Sequence, residues 1–128
     1  MKDKSKSILI VDDNRDLVTS LCDIFTEEGY DVKIAYDGLI IKSLLKDSSY
    51  DIALVDLVMK GKDGFEVLKE IRQEDPRISC FTMTGYANAS NLESAKENGA
   101  LHIFIKPFDI EKMLEIFAKE LSKKKLSD

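Results

Sequence analysis

The sequence predicts an α/β domain built as a (βα)5 chain, with five parallel strands in one doubly wound sheet. Short continuous apolar runs alternate with longer stretches of helical spacing from one end to the other. Three of those runs lack polar/apolar alternation, as expected of parallel strands covered by helices on both faces. A length of 128 residues suits one compact domain, and an eight-fold barrel would need about twice as much chain.

The strand runs are Ile8-Leu-Ile-Val11, Val32-Lys-Ile-Ala35, Ile52-Ala-Leu-Val55, Cys80-Phe-Thr-Met83 and Ile103-Phe-Ile105. Between the first two, Leu17, Leu21, Ile24 and Phe25 mark the inner stripe of a first helix, which Gly29 closes as a left-handed cap. A shorter second helix follows Asp37-Gly38, carries Ile40, Ile41, Leu44 and Leu45, and ends at Asp47-Ser-Ser49. The third offers Phe65, Leu68 and Ile71 and must stop before Pro76, whose ring disfavours helical geometry in the preceding residue. The fourth, around 88–98, has only Leu92 and Ala95 as an inner pair, which predicts a thin hold on the sheet and low local stability. In the fifth, Ile110, Met113, Leu114, Phe117 and Leu121 recur at helical spacing behind Asp109 as N-cap. Its tail, Lys123-Lys-Lys125, complements the negative end of the helix dipole and reads as solvated. Right-handed crossovers then leave an open sheet of order 2-1-3-4-5, the flavodoxin-like arrangement.

A net charge of −5, from 24 acidic against 19 basic side chains, repels a phosphate backbone and argues against direct nucleic-acid binding. No apolar run approaches the ~20 residues of a membrane helix, and the lysine-rich N-terminus leads into too short an apolar stretch for a signal peptide. A cytoplasmic protein without membrane contact is expected. Cys22 and Cys80 lie far apart with no metal-ligand spacing and are expected to be reduced, buried packing residues. No linker or repeat divides the chain, so residues 1–128 read as one domain, its core at about 7–120 between short polar tails.

The informative residues are polar ones that end the apolar runs. Asp12 and Asp13 follow the first strand, Asp56 the third, Thr84 the fourth and Lys106 the fifth. In an open parallel sheet those carboxyl ends share one edge, and ligands bind in the crevice beside it. Any one of these aspartates taken alone reads more readily as a cap or turn residue. Lys106-Pro107 and Thr84, taken singly, read as turn positions too. Together they put three carboxylates and one lysine in one place, an imbalance that implies a divalent cation. Mg2+ suits hard carboxylate oxygens and commonly bridges them to a phosphoryl group. Aspartate is a known nucleophile toward phosphorus, and phosphoryl transfer needs mainly positioning and charge neutralisation.

These residues carry a resemblance that runs from Ser7 to about Lys119. Val11-Asp-Asp-Asn14, Leu54-Val-Asp-Leu-Val-Met59, Asp63-Gly-Phe-Glu-Val-Leu68, Met83-Thr-Gly-Tyr-Ala87, Asn98-Gly-Ala100 and Lys106-Pro-Phe108 resemble the motifs of bacterial two-component receiver domains. The resemblance implies that Asp56 accepts a phosphoryl group from the phosphohistidine of a sensor histidine kinase or phosphotransfer protein. It implies Mg2+ held by Asp13, Asp56 and the main-chain oxygen of Val58, with Asp12 assisting through water, and Thr84 and Lys106 on the phosphoryl oxygens. It also implies a switch read by a downstream protein on the face of helix 4, strand 5 and helix 5.

Two departures shape the expected behaviour. Where such domains carry an aromatic residue three positions before the lysine, this chain has Ile103, and Phe104 should point to the opposite face because strand side chains alternate. A signal through Thr84, the weakly anchored fourth helix and Tyr86 is the alternative route. Lys60 stands where the family often has proline, and Lys60 and Lys62 read as solvated loop residues. Val58 and Tyr86 occupy positions that tune water access in the family, which predicts slow loss of the phosphoryl group. His102, without an orienting partner, reads as incidental. The rivals are an aspartate-dependent Mg2+ phosphatase, a flavodoxin-like cofactor carrier and a receiver-like module that binds without phosphorylation. Val58 leaves the phosphatase no second carboxylate two residues after Asp56, and no glycine-rich phosphate loop follows the first strand. The expected role is therefore a signalling phosphoacceptor rather than an enzyme acting on free substrate.

Overall fold

The computed structural model describes residues 6–59, 63–85 and 88–127, with side chains through Lys124. Its elements are β1 (Ser7–Val11), α1 (Arg15–Glu27), β2 (Asp31–Ala35), α2 (Ile41–Asp47), β3 (Ile52–Asp56), α3 (Gly64–Glu74), β4 (Ser79–Thr84), α4 (Ala89–Glu97), β5 (His102–Ile105) and α5 (Ile110–Ser127). All neighbouring strands pair in parallel, in the order β2-β1-β3-β4-β5. The expected (βα)5 topology and strand order are both observed.

Strand alternation sorts the core into two layers. Leu9, Val11, Ala53 and Val55 pack with Ile41 of α2, Leu68 and Ile71 of α3 and Ala95 of α4. On the opposite face, Ile8, Ile10, Ile52 and Leu54 pack with Leu21 and Phe25 of α1 and with Met113 and Phe117 of α5. Phe117 anchors this second layer, with ring centroids 4.9 Å from Phe81, 5.6 Å from Phe25 and 6.0 Å from Phe104. Phe104 therefore belongs to the α1/α5 layer and Ile103 to the other, as alternation requires.

Side-chain caps fix where most helices start. Asn14, Asp63, Asn88 and Asp109 each accept a backbone N–H three residues on, from Leu17, Glu66, Asn91 and Lys112. Gly29 and Gly99 follow α1 and α4 at φ of 96° and 98°, where a side chain would be strained. α2 has no side-chain cap and begins at Ile41, leaving Ile40 outside the helix and 45% exposed.

Besides Ile40, expected on the inner stripe of the second helix, three details depart from expectation. The fully buried stripe of α1 is Val18, Leu21 and Phe25, with Leu17 and Ile24 only half-buried along its flanks. Cys22 is likewise half-buried, because it is one helical step round from Leu21, whereas Cys80 is buried as expected. Lys124 is not simply solvated: its ammonium donates to the Asp51 carbonyl at 3.0 Å, and partial burial holds its pKa below the ordinary value. The side chain of Lys125 lies outside the described residues.

Within β4 one residue breaks the apolar interior. Thr82 is fully buried, and its hydroxyl has no hydrogen-bond partner among the described residues. An unpaired buried hydroxyl costs on the order of 1–3 kcal/mol.

Candidate functional site: an acidic notch at the strand ends

The register of the sheet brings the ends of β1, β3, β4 and β5 to one edge, and the backbone there is tied together before any side chain acts. The Asp12 amide donates to the Ala35 carbonyl at 3.1 Å, the Leu57 amide to Met83 at 3.0 Å and the Lys106 amide to Thr84 at 2.8 Å. The Lys106–Pro107 peptide is cis. These bonds hold each loop at the point where its strand ends.

The side chains then converge. Asp12 is fully buried, and its Oδ1 accepts the Asn14 amide at 3.0 Å. Asp56 is 5% exposed, and its Oδ1 accepts the Val58 amide at 3.0 Å. The Lys106 ammonium sits 3.2 Å from Asp56 Oδ2 and 3.5 Å from Asp12 Oδ2. Asp13 is exposed, and one carboxylate oxygen from each of Asp12, Asp13 and Asp56 falls within 4.8 Å of the others. Two carboxylates 4.8 Å apart repel by roughly 3.5 kcal/mol in the effective dielectric of a protein surface.

One ammonium does not balance three carboxylates. Burial, more than any other cause, pushes the Asp12 carboxyl up to about 6; the Asn14 amide opposes the shift, Asp56 adds to it, and Lys106 lowers it again. The donors are hard oxygens, open to solvent on the side of Asp13 and of Val58, whose side chain is 60% exposed. That donor set fits a small divalent cation of the Mg2+ type, which prefers carboxylate oxygens and keeps some of its waters.

Asp12, Asp13, Asp56 and Lys106 are thus brought together as the sequence implied. Thr84 ends β4 at the same edge, fully buried. Val58 lies in the loop after β3 with its amide on the Asp56 carboxylate. His102 opens β5, four residues before Lys106, and its register partner is Phe81, so it lies partway down the sheet rather than at the strand-end edge that carries the notch. Lys60, Lys62 and Tyr86 lie outside the described residues.

Two contributors were not singled out individually from the sequence. Asn14 caps α1 with its side chain while its amide steadies Asp12. Gly64, the first residue of α3, packs against the end of β3: a Cβ there would collide with the Asp56 carbonyl oxygen and the Leu57 Cα. The signal available for it was Asp63-Gly64 at a helix start after a strand-end aspartate. Because the obstacles are backbone atoms, Gly64→Ala is expected to destabilise the domain by roughly 1–3 kcal/mol. A thermal melt should show the loss, and an unchanged melting temperature would contradict the close approach.

Residues 8–118 match the family model of the response regulator receiver domain. The chain is 35% identical over 117 residues to sporulation initiation phosphotransferase F of Bacillus subtilis (strain 168), covering 91% of this chain and 94% of that protein. It is 33% identical to transcriptional regulatory protein ZraR of Klebsiella oxytoca, but there it spans only 29% of the relative's length. Among solved structures, a CheY-like receiver domain protein from Methanospirillum hungatei JF-1 superposes with a TM-score of 0.92 at 27% identity, covering 98% of this chain and 100% of that one. A doubly wound sheet with this acidic notch at its strand ends is the architecture of a signalling receiver. The chain belongs to the response regulator receiver domain family. Among the described residues no helix is long and apolar enough to cross a membrane.

Proposed function

We propose that this receiver domain takes a phosphoryl group onto Asp56 from the phosphohistidine of a sensor histidine kinase or phosphotransfer protein, and thereby switches its affinity for a downstream protein. The observation that carries this reading is the Asp56 carboxylate itself: nearly buried, fixed at both oxygens by the Val58 amide and the Lys106 ammonium, and grouped with Asp12 and Asp13.

In the transfer, an Asp56 oxygen bonds to phosphorus as the phosphorus–nitrogen bond of phosphohistidine breaks, and the electron pair leaves with the imidazole. Asp12, Asp13, Asp56 and the main-chain oxygen of Val58 would hold Mg2+, which when bound supplies charge neutralisation for the carboxylates and the phosphoryl oxygens. The Val58 amide and Lys106 hold the plane of the acceptor carboxylate, and Lys106 with the Thr84 hydroxyl receives the phosphoryl oxygens. The chemistry is self-phosphorylation and slow self-dephosphorylation, with no turnover of a free substrate. The reading assigns the protein to the cytoplasm, with no direct nucleic-acid or membrane contact, and treats the chain as one domain.

With Ile103 and inward Phe104 set in opposite layers, the switch runs through Thr84 and α4, whose only fully buried residue is Ala95. Phosphorylation is expected to change amide exchange in α4; identical protection before and after would contradict this route. An exposed apolar Val58 beside the acceptor predicts slow hydrolysis of the aspartyl phosphate. Decay within seconds without a phosphatase would count against it.

The functional reading is tested by incubating the protein with phosphoramidate and Mg2+ while following both intact mass and free phosphate. A single phosphoryl group per chain that accumulates and then persists is expected. Continuous release of phosphate with no accumulated adduct would show a phosphatase instead.

A further inference from the structure

Thr82 is the residue the phosphoacceptor reading leaves unused. It lies two positions before Thr84 on β4, so both side chains project to the same face of the sheet, opposite Phe81 and Met83. Its register partners are Val55 and Ile103, both in the layer under α2, α3 and α4. Neither side chain offers a donor or acceptor. The Thr82 hydroxyl is buried among them with no hydrogen-bond partner among the described residues.

Valine has the shape of threonine without the hydroxyl and would fill the same space at no such cost. A hydroxyl that destabilises the conformation at hand is accounted for if another conformation satisfies it. Of the helices over this face, α2 and α4 each bury one side chain fully, Ile41 and Ala95, and α4 is the one that leads directly into β5, the strand paired with Thr82. α4 also carries two half-buried polar side chains on one flank of Ala95, Asn91 and Ser94, within about one turn before it.

We propose that Thr82 is a positioning residue for the phosphorylation-linked switch: its hydroxyl, unpaired in the resting domain, is taken up by the polar flank of α4 once that helix shifts. The inference rests on the phosphoacceptor reading. Thr82 raises the free energy of the resting state relative to the switched one, and so sets how readily occupancy of Asp56 moves α4.

The test uses the full chain, with beryllofluoride and Mg2+ as a non-hydrolysable stand-in for the phosphoryl group. Thr82→Val should raise the melting temperature of the unliganded protein by a few degrees while weakening beryllofluoride binding about three- to tenfold. It should also reduce the beryllofluoride-induced change in α4 amide exchange. Thr82→Ser, which keeps the hydroxyl and loses a methyl group, should lower the melting temperature yet retain wild-type affinity. A Thr82→Val protein that melts lower, or that binds beryllofluoride as tightly as wild type, overturns the proposal. If the wild-type protein itself does not bind beryllofluoride, the phosphoacceptor reading fails first and this inference falls with it.

Discussion

Asp56→Asn is expected to reduce phosphoryl incorporation to the detection limit while leaving the fold intact. The amide has nearly the shape of the carboxylate, and its oxygen still accepts the Val58 amide that now lies 3.0 Å from Oδ1. Lys106 keeps Asp12 as a partner, and one of three mutually repelling charges is gone. What disappears is the anionic oxygen able to attack phosphorus. Intact-mass measurement after incubation with phosphoramidate and Mg2+ checks the loss, and a circular dichroism melt at or above the wild-type temperature checks the fold. Residual stoichiometric labelling of Asp56→Asn would place the acceptor elsewhere.

The second large effect is expected at Asp12. Its carboxyl is raised from the ordinary 3.8 to about 6, so its ionisation opposes folding in the absence of a cation. The sign follows from linkage: the favourable contribution is full below about 4 and is lost as pH rises through about 6. Two pKa units set an upper bound of roughly 3 kcal/mol on the cost of ionisation. Asp12→Asn removes it, and the metal-free protein should then melt several degrees higher at neutral pH, with a flatter pH dependence between 4 and 6. The same change should abolish most of the stabilisation that added Mg2+ gives the wild type. In the wild type, protons and the cation compete for the same carboxylates, so Mg2+ affinity should fall as pH drops below about 6. A metal-free Asp12→Asn that melts lower than wild type would show that the notch is not electrostatically strained.

Much of this was legible because the physics is local. The uninterrupted apolar runs of β1 and β3 require cover on both faces, and parallel strands with short connections leave little choice of sheet order. Asp12, Asp13, Asp56 and Lys106 could be assembled from sequence because each ends a strand, and parallel strands end on one edge. Less legible were features that depend on rotation about a helix axis or on packing across a loop. Whether Leu17 or Val18 faces the core is a matter of one helical step: periodicity points to Leu17, whereas Val18 is the residue that is fully buried. Gly64 looked like a helix-start residue, and its close approach to Asp56 exists only once α3 docks on β3. Thr82 lies inside an apolar run and reads as a strand filler; only its cross-strand partners Val55 and Ile103 and its burial reveal that its hydroxyl is stranded. The outward reach of Lys124 to Asp51 likewise joins residues at the two ends of separate elements.

The most direct measurement is the position of the phosphoryl group, mapped by peptide mass spectrometry after exposure to phosphoramidate with Mg2+ present or chelated. A single adduct on Asp56 that forms with Mg2+ and vanishes with the chelator is expected. Labelling of any other side chain, His102 included, or labelling of Asp56 that chelation leaves untouched, would contradict the account.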